Sequence, residues 1–224
     1  MQQISAGDAE AVLNDPGFVV PPVPPGASGI TWLRATVGRF SSGADHVRRR
    51  ALSVAVIDSI PLESLRHNGV RHPVAALAEA LGISVDVVGH VRDVAQAYQP
   101  GTGDERRADA AVACLVALFG GKFDEAAAAR IGVLVQACDA TATLIDRARH
   151  ASVADVLRDQ PPVRATKRQA LTRTTFDDIT VEAGEVVQIP LAGELAFGAG
   201  PRRCPGRAHA LALVELALAE GATS

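Results

Sequence analysis

Apolar residues recur at helical spacing through most of the chain, and turn residues cut that pattern into segments. A short helix is predicted over residues 8–14, ahead of Asp15-Pro16-Gly17. The stretch VVPPVPPGASG (19–29) excludes regular structure, because proline lacks a donor and restricts the residue before it. Periodicity resumes in GADHVRRRALSVAVI, which predicts a helix from about Gly43 to Ile57. Pro73 opens another, PVAALAEALG, with a glycine at its stop. Two more are predicted over 85–98 and 107–119, separated by the breaker QPGTG. The longest runs from about Asp124 to His150, with acids at its head and Arg and His at its tail, as the helix dipole favours. A short helix, SVADVLRD (152–159), stops at Pro161-Pro162.

The period then changes to two. TFDDITVEAGEVVQIPL alternates apolar and polar residues around Ala183-Gly184, which predicts a β-hairpin. A last helix, RAHALALVELALAEG, follows a glycine-rich loop. The fold class is therefore mainly α with a small β element. One compact domain is expected over 1–224, with a partly irregular N-terminal arm (1–30) and a closing segment of loop and helix (193–224).

Composition narrows the function classes. With 48% hydrophobic and 21% charged residues but only 4% aromatics, a sizeable core must be built from Ala, Val and Leu, with Trp32 assigned to it. A net charge of −3 gives no electrostatic case for nucleic acid or an anionic membrane. The N-terminus lacks the basic-then-apolar order of a signal peptide, and the purest apolar run, Ala110–Phe119, is too short to span a bilayer. Three cysteines without paired spacing fit a reducing cytoplasm, the expected location.

One of those cysteines sits in FGAGPRRCPG. The pattern F-G-x-G-x-R-x-C-x-G is met in full by Phe197, Gly198, Gly200, Arg202, Cys204 and Gly206. From average residue usage, a chance match is on the order of 10⁻⁸ per starting position. A structural cysteine beside a turn would account for the thiol but not for the other five residues. A stiff loop ahead of a helix presents a thiolate as nucleophile or metal ligand.

These residues resemble the cysteine-ligated heme proteins of the cytochrome P-450 superfamily. The resemblance implies heme b as cofactor, Cys204 as proximal ligand of the iron, and Arg202 as partner of a heme propionate. His46 and Arg50, four apart in GADHVRRR, resemble the family's propionate-binding pair, although a solvated basic face explains the same spacing. In VLVQACDATATLI, Ala137 and Thr141 match the family's distal helix motif A-G-x-(acid)-T-T, an alternative being an alanine-rich core helix. That motif is broken by Cys138, Ala140 and Ala142. Asp139 is adjacent to the acid's position, but one residue is about 100° of helix rotation. Asp155 and Arg158 stand where the family has E-x-x-R, and Arg168 lies in a segment whose arginine also reaches a propionate. The order of these landmarks is the family's order. The family's meander is missing, since only LAGELA separates Pro190 from Phe197.

The resemblance implies an oxidoreductase acting on a small organic molecule, by monooxygenation with O2 or by peroxide-driven oxidation with H2O2. Thr141 and Asp139 are its candidate catalytic residues, and an electron-donor protein is a candidate partner. Alternatives are a non-redox heme enzyme (rearrangement, dehydration or cyclisation), a heme sensor or carrier, and a catalytically silent scaffold for a partner enzyme. A homo-oligomer stays open.

Overall fold

The computed structural model describes residues 1–66, 72–176 and 179–221. In chain order these form α1 (Ala9–Asn14), β1 (Phe18–Val19), α2 (Gly29–Thr36), α3 (Gly43–Asp58), α4 (Leu62–Arg66), α5 (Pro73–Ala80), α6 (Val88–Gln96), α7 (Glu105–Leu118) and α8 (Glu125–Ala148). Then come α9 (Val153–Asp159), β2 (Ala165–Ala170), β3 (Thr174–Phe176), β4 (Ile179–Val181), β5 (Val186–Pro190) and α10 (Arg207–Gly221). The chain divides into two compact units. Residues 1–22 and 150–204 make one, and 23–149 and 205–224 make the other.

The first unit holds the strands. β1, β2 and β5 form an antiparallel sheet in that order, with Arg168 opposite Val187. β5 alternates buried and half-buried residues, so Val187 and Ile189 enter a core that also holds Ile4, Val12, Leu13 and Phe18. β4 pairs with β3 and not with β5. The predicted hairpin around Ala183-Gly184 is therefore a crossing from one sheet to another. Gly184 turns with φ +82, and its N–H donates to Ala170 O at 2.8 Å, so the turn is tied to β2. Alternation identified the strands correctly but carries no information about the partner. The first residues of that prediction, Asp177 and Asp178, lie outside the described residues, as does the end of the predicted 193–224 segment. Val19, placed in the irregular arm by the sequence, is the second residue of β1.

The second unit is helical and is assembled on α8, against which α2, α3, α5, α6, α7 and α10 all lie. Its caps follow from single residues. Asp124 Oδ1 accepts from the Ala127 N–H at 2.8 Å, and Asp104 accepts from the N–H groups of Arg106 and Arg107. α2, unmarked by the sequence pattern, is capped from another helix: the Ile30 N–H donates to Asp109 Oδ1 on α7 at 2.8 Å. Gly29 is required there, since its φ is +62 and a Cβ would overlap the Asp109 carboxylate. Arg34, 4% exposed, pairs with Glu105 at 2.7 Å and donates to the carbonyls of Ala97, Tyr98 and Gln99. Its guanidinium fork so fixes the connection from α6 to α7. Trp32 is buried as expected and meets Phe123 edge-on at 4.8 Å.

α8 is also long and apolar enough to cross a bilayer by length and composition, yet 61% of that window is buried. Burial at that level is what a core helix shows.

His72 caps α5 through its ring: Nδ1 accepts from the Val74 N–H at 3.2 Å. Burial and then the charge of Arg92 lower its pKa below the ordinary 6.5, against the opposing charges of Asp139 and Asp86. A lowered histidine pKa means that the unfolded chain binds the proton more readily. Stability is thus expected to be full above pH about 6.5 and to fall as the pH drops below it. In His72→Asn, which keeps an N-cap acceptor, that slope should flatten in denaturant melts between pH about 5 and 7.5.

Candidate functional site

The cysteine loop belongs to the first unit. The chain leaves β5, makes a 3-10 turn over Gly193–Leu195, and makes a second over Gly200–Arg202. The Gly198 N–H donates to Leu195 O at 2.8 Å, and the Arg203 N–H donates to Gly200 O at 3.1 Å. The Cys204 N–H then donates back to Phe197 O at 2.8 Å, closing the segment that contains the motif into a ring. Gly198 and Gly200 take φ of +73 and +62, the left-handed region that side chains resist. Cys204 ends this loop with its residue exposed, three residues before the start of α10.

α1 buttresses the loop. A Cβ on Gly200 would fall 2.5 Å from Asn14 Oδ1 and 3.2 Å from Leu13 O, so only glycine allows the 3-10 turn to sit on the end of α1. Arg168 lies in the same unit, on the middle strand of its sheet, and is 5% exposed. Its Nη1 donates to Lys167 O at 2.9 Å and to Thr166 Oγ1 at 3.1 Å. Arg202 and Phe197 are half-buried. Gly206, in the second unit, meets only an ordinary contact with Ile57 Cδ1 at 3.7 Å.

Asp155 and Arg158 form the ion pair that their spacing predicts, at 2.5 Å, but on the surface of α9, with side chains 48% and 59% exposed. Arg158 also reaches Asp159 at 3.0 Å. The short turn Gly193–Leu195 packs on α9.

In the second unit, α3 carries His46 and Arg50. His46 is buried at 9% exposure and Arg50 is half-buried, whereas Val47 and Arg48 face solvent. Part of the basic run GADHVRRR is taken up by a contact within the unit. Arg48 and Arg49 both reach Glu125 on α8, each at 2.8 Å, and hydrogen bonds first from Arg48 and then from Arg49 hold the Glu125 carboxyl at about 2. That clamp stays ionic at any ordinary pH. His46 and Arg50, four apart, are neighbours along α3.

α8 carries Ala137, Asp139 and Thr141. Thr141 is 4% exposed. Ala137 and Ala140 lie on the same face, half-exposed and small. Asp139 is exposed, and α8 is unbroken α-helix throughout, so no bulge rotates Asp139 toward Thr141. Its charge acts on Cys138, whose thiol is pushed up to about 12 by burial first and by the Asp139 charge second. Cys138 is an inert thiol. Among the described residues no group of three His, Cys, Asp or Glu side chains could hold a metal ion.

No protein-family model matches the sequence, and no curated protein matches it either. Solved structures do match. A thermophilic cytochrome P450 from Sulfolobus tokodaii aligns with a TM-score of 0.74 at 17% identity, over 97% of this chain and 85% of that one. CalO2 aligns with a TM-score of 0.71 at 17% identity, over 96% of this chain and 80% of that one. P450BioI, solved with an acyl carrier protein bearing hexadec-9Z-enoic acid, aligns with a TM-score of 0.68 at 17% identity, over 97% and 82%.

The chain has the cytochrome P450 fold. Within that P450 fold, the sequence motif anticipated the cysteine loop, the histidine-arginine helix and the long helix. It did not reveal how Gly200 seats on Asn14, nor the cluster of Cys138, Asp139, Arg92 and His72. The second of these joins residues far apart in sequence, and no linear spacing signals it.

Gly200→Ala tests the buttress. It should cost about 1–2 kcal/mol from the left-handed backbone alone, with a further loss from the overlap with Asn14. Asn14→Ala in the same chain should recover the overlap part and leave the backbone part, as read by urea denaturation.

Proposed function

We propose that this chain is a heme-thiolate oxidoreductase that oxidises a small organic molecule. One observation carries the proposal: within a P450 fold, a glycine-shaped loop closed by the Cys204 N–H to Phe197 O bond presents an exposed thiol ahead of a helix. The donor set also fits. A lone thiolate is the proximal ligand that suits oxidation, and the basic side chains Arg202, Arg168, His46 and Arg50 suit the two propionates of heme b.

In this reading Cys204 is the metal ligand, and Gly198 and Gly200 give the loop the backbone path that presents it. The N-terminus of the helix that follows adds to this. Phe197 and Gly206 shape the loop for a flat macrocycle. Ala137 and Ala140 keep one face of α8 low, so that a flat ring can approach it, and Thr141 holds a proton at Oγ1. When bound, heme supplies redox chemistry at its iron, with the thiolate pushing electron density to assist O–O cleavage.

The position of Asp139 favours H2O2 over O2 as oxidant. Two residues along a regular helix are about 200° of rotation, so Asp139 is on nearly the opposite side of α8 from Thr141 and cannot pass it a proton. Peroxide brings its own protons and electrons. If O2 is used instead, an electron-donor protein is required as partner. The protein acts in the cytoplasm in either case.

Two measurements test this. Protein purified with ample heme should be coloured and, when reduced under CO, should show the Soret shift of thiolate ligation. Cys204→Ser should abolish that shift, and a colourless wild type would overturn the proposal. Thr141→Ala should leave the shift intact. If O2 is the oxidant, that substitution should slow substrate oxidation by about 10²-fold or more, whereas peroxide-driven turnover should change far less.

A further inference from the structure

Outside the residues just described, the second unit carries a groove of about 380 Å³ where α3, the end of α5 and the first turns of α8 meet. That is at the lower end of the range of small-ligand pockets, about 300–1,000 Å³. Leu52, Val56, Leu81 and Ala129 make its walls, no carboxylate lines it, and its polar groups are Ser59 and Arg130. The groove exists because α8 begins with four consecutive alanines, which leave space where larger side chains would interlock with α3 and α5.

Arg130 is the unusual member. Among the described residues no carboxylate pairs with it, whereas the acid at the head of α8, Glu125, is held by Arg48 and Arg49. Its guanidinium lies 5.5 Å from the Phe119 ring centroid, which fixes its position and covers one of its faces. A positioned cation without a counter-ion at the edge of an apolar trough is complementary to one kind of molecule, an anion with an apolar tail.

We propose that this groove binds an unbranched alkyl carboxylate of medium length. The carboxylate sits on Arg130, and the tail lies along Leu52, Val56 and Leu81. The site does not depend on heme.

Calorimetric titration of the full chain with hexanoate, heptanoate and octanoate tests it. Affinity should rise about fourfold per added methylene, the fold-change set by burying one such group. Arg130→Gln should weaken octanoate about tenfold or more, as expected for a lost charged hydrogen bond, and should leave octan-1-ol unchanged. Ala126→Trp and Ala55→Trp, both at exposed positions of the lining that leave the core intact, should abolish binding of either probe. Cys204→Ser should bind octanoate as the wild type does. Absence of saturable binding, or binding unchanged in Arg130→Gln or in both tryptophan variants, would overturn the proposal. So would binding that is lost in Cys204→Ser.

Discussion

The slimness of α8 is the constraint on which the helical unit depends. Six helices lie against it, and they can do so only because so many of its positions are alanine or glycine. Gly132 shows the tolerance: a Cβ there would come within 3.3 Å of Val37 Cγ1. Small residues bring neighbours close, and the close approach lets Leu134, Ile131 and Leu144 become fully buried. The same property has a second effect wherever no neighbour closes in. At the first turns it leaves the groove beside Arg130, and at Ala137 and Ala140 it leaves a low surface next to Thr141. Core packing and both candidate binding surfaces thus come from one compositional feature.

The cysteine loop answers to a different constraint, backbone handedness. Two left-handed glycines and one long-range closure, Cys204 N–H to Phe197 O, determine where the thiol goes. The loop is held from below by α1, whose last residues meet Gly200, and its strand of entry is the paired edge of the β1-β2-β5 sheet. The first unit joins distant parts of the sequence: its N-terminal helix and first strand, from residues 1–22, pack with segments from the C-terminal third of the chain. A substitution at Asn14 acts on the thiol although it is far from it in sequence.

Helices with strong caps were legible in the sequence to within about two residues, because Asp104, Asp124, Ser152 and Pro73 announce their starts. α2 was not, because its cap is the side chain of Asp109, on another helix, and its entry follows the proline run that argued for irregular chain. β4 and β5 were legible as strands, but their partners were not, because pairing depends on contacts that alternation does not encode. The cysteine loop was legible because its requirements are local: glycine for handedness, cysteine for the thiol. The groove was not, since its walls come from residues 52–130 on three helices and each is an ordinary alanine or leucine in its own segment.

The departure of α8 from the family's distal motif has a consistent physical interpretation. Replacing a helix-weakening glycine by Cys138 removes a reason for the helix to open, and α8 is indeed regular through that point. Regularity fixes the direction of every side chain on it. Asp139 then belongs with Cys138 and, through its charge, with His72 at the cap of α5, and Thr141 is left with alanines on its own face. An acid at position 140 would remove one of the three departures, at Cys138, Ala140 and Ala142, from the motif that α8 resembles. Under the proposed function, the choice of oxidant therefore rests on one side chain, alanine at 140, and on a helix too regular to let its neighbour replace it.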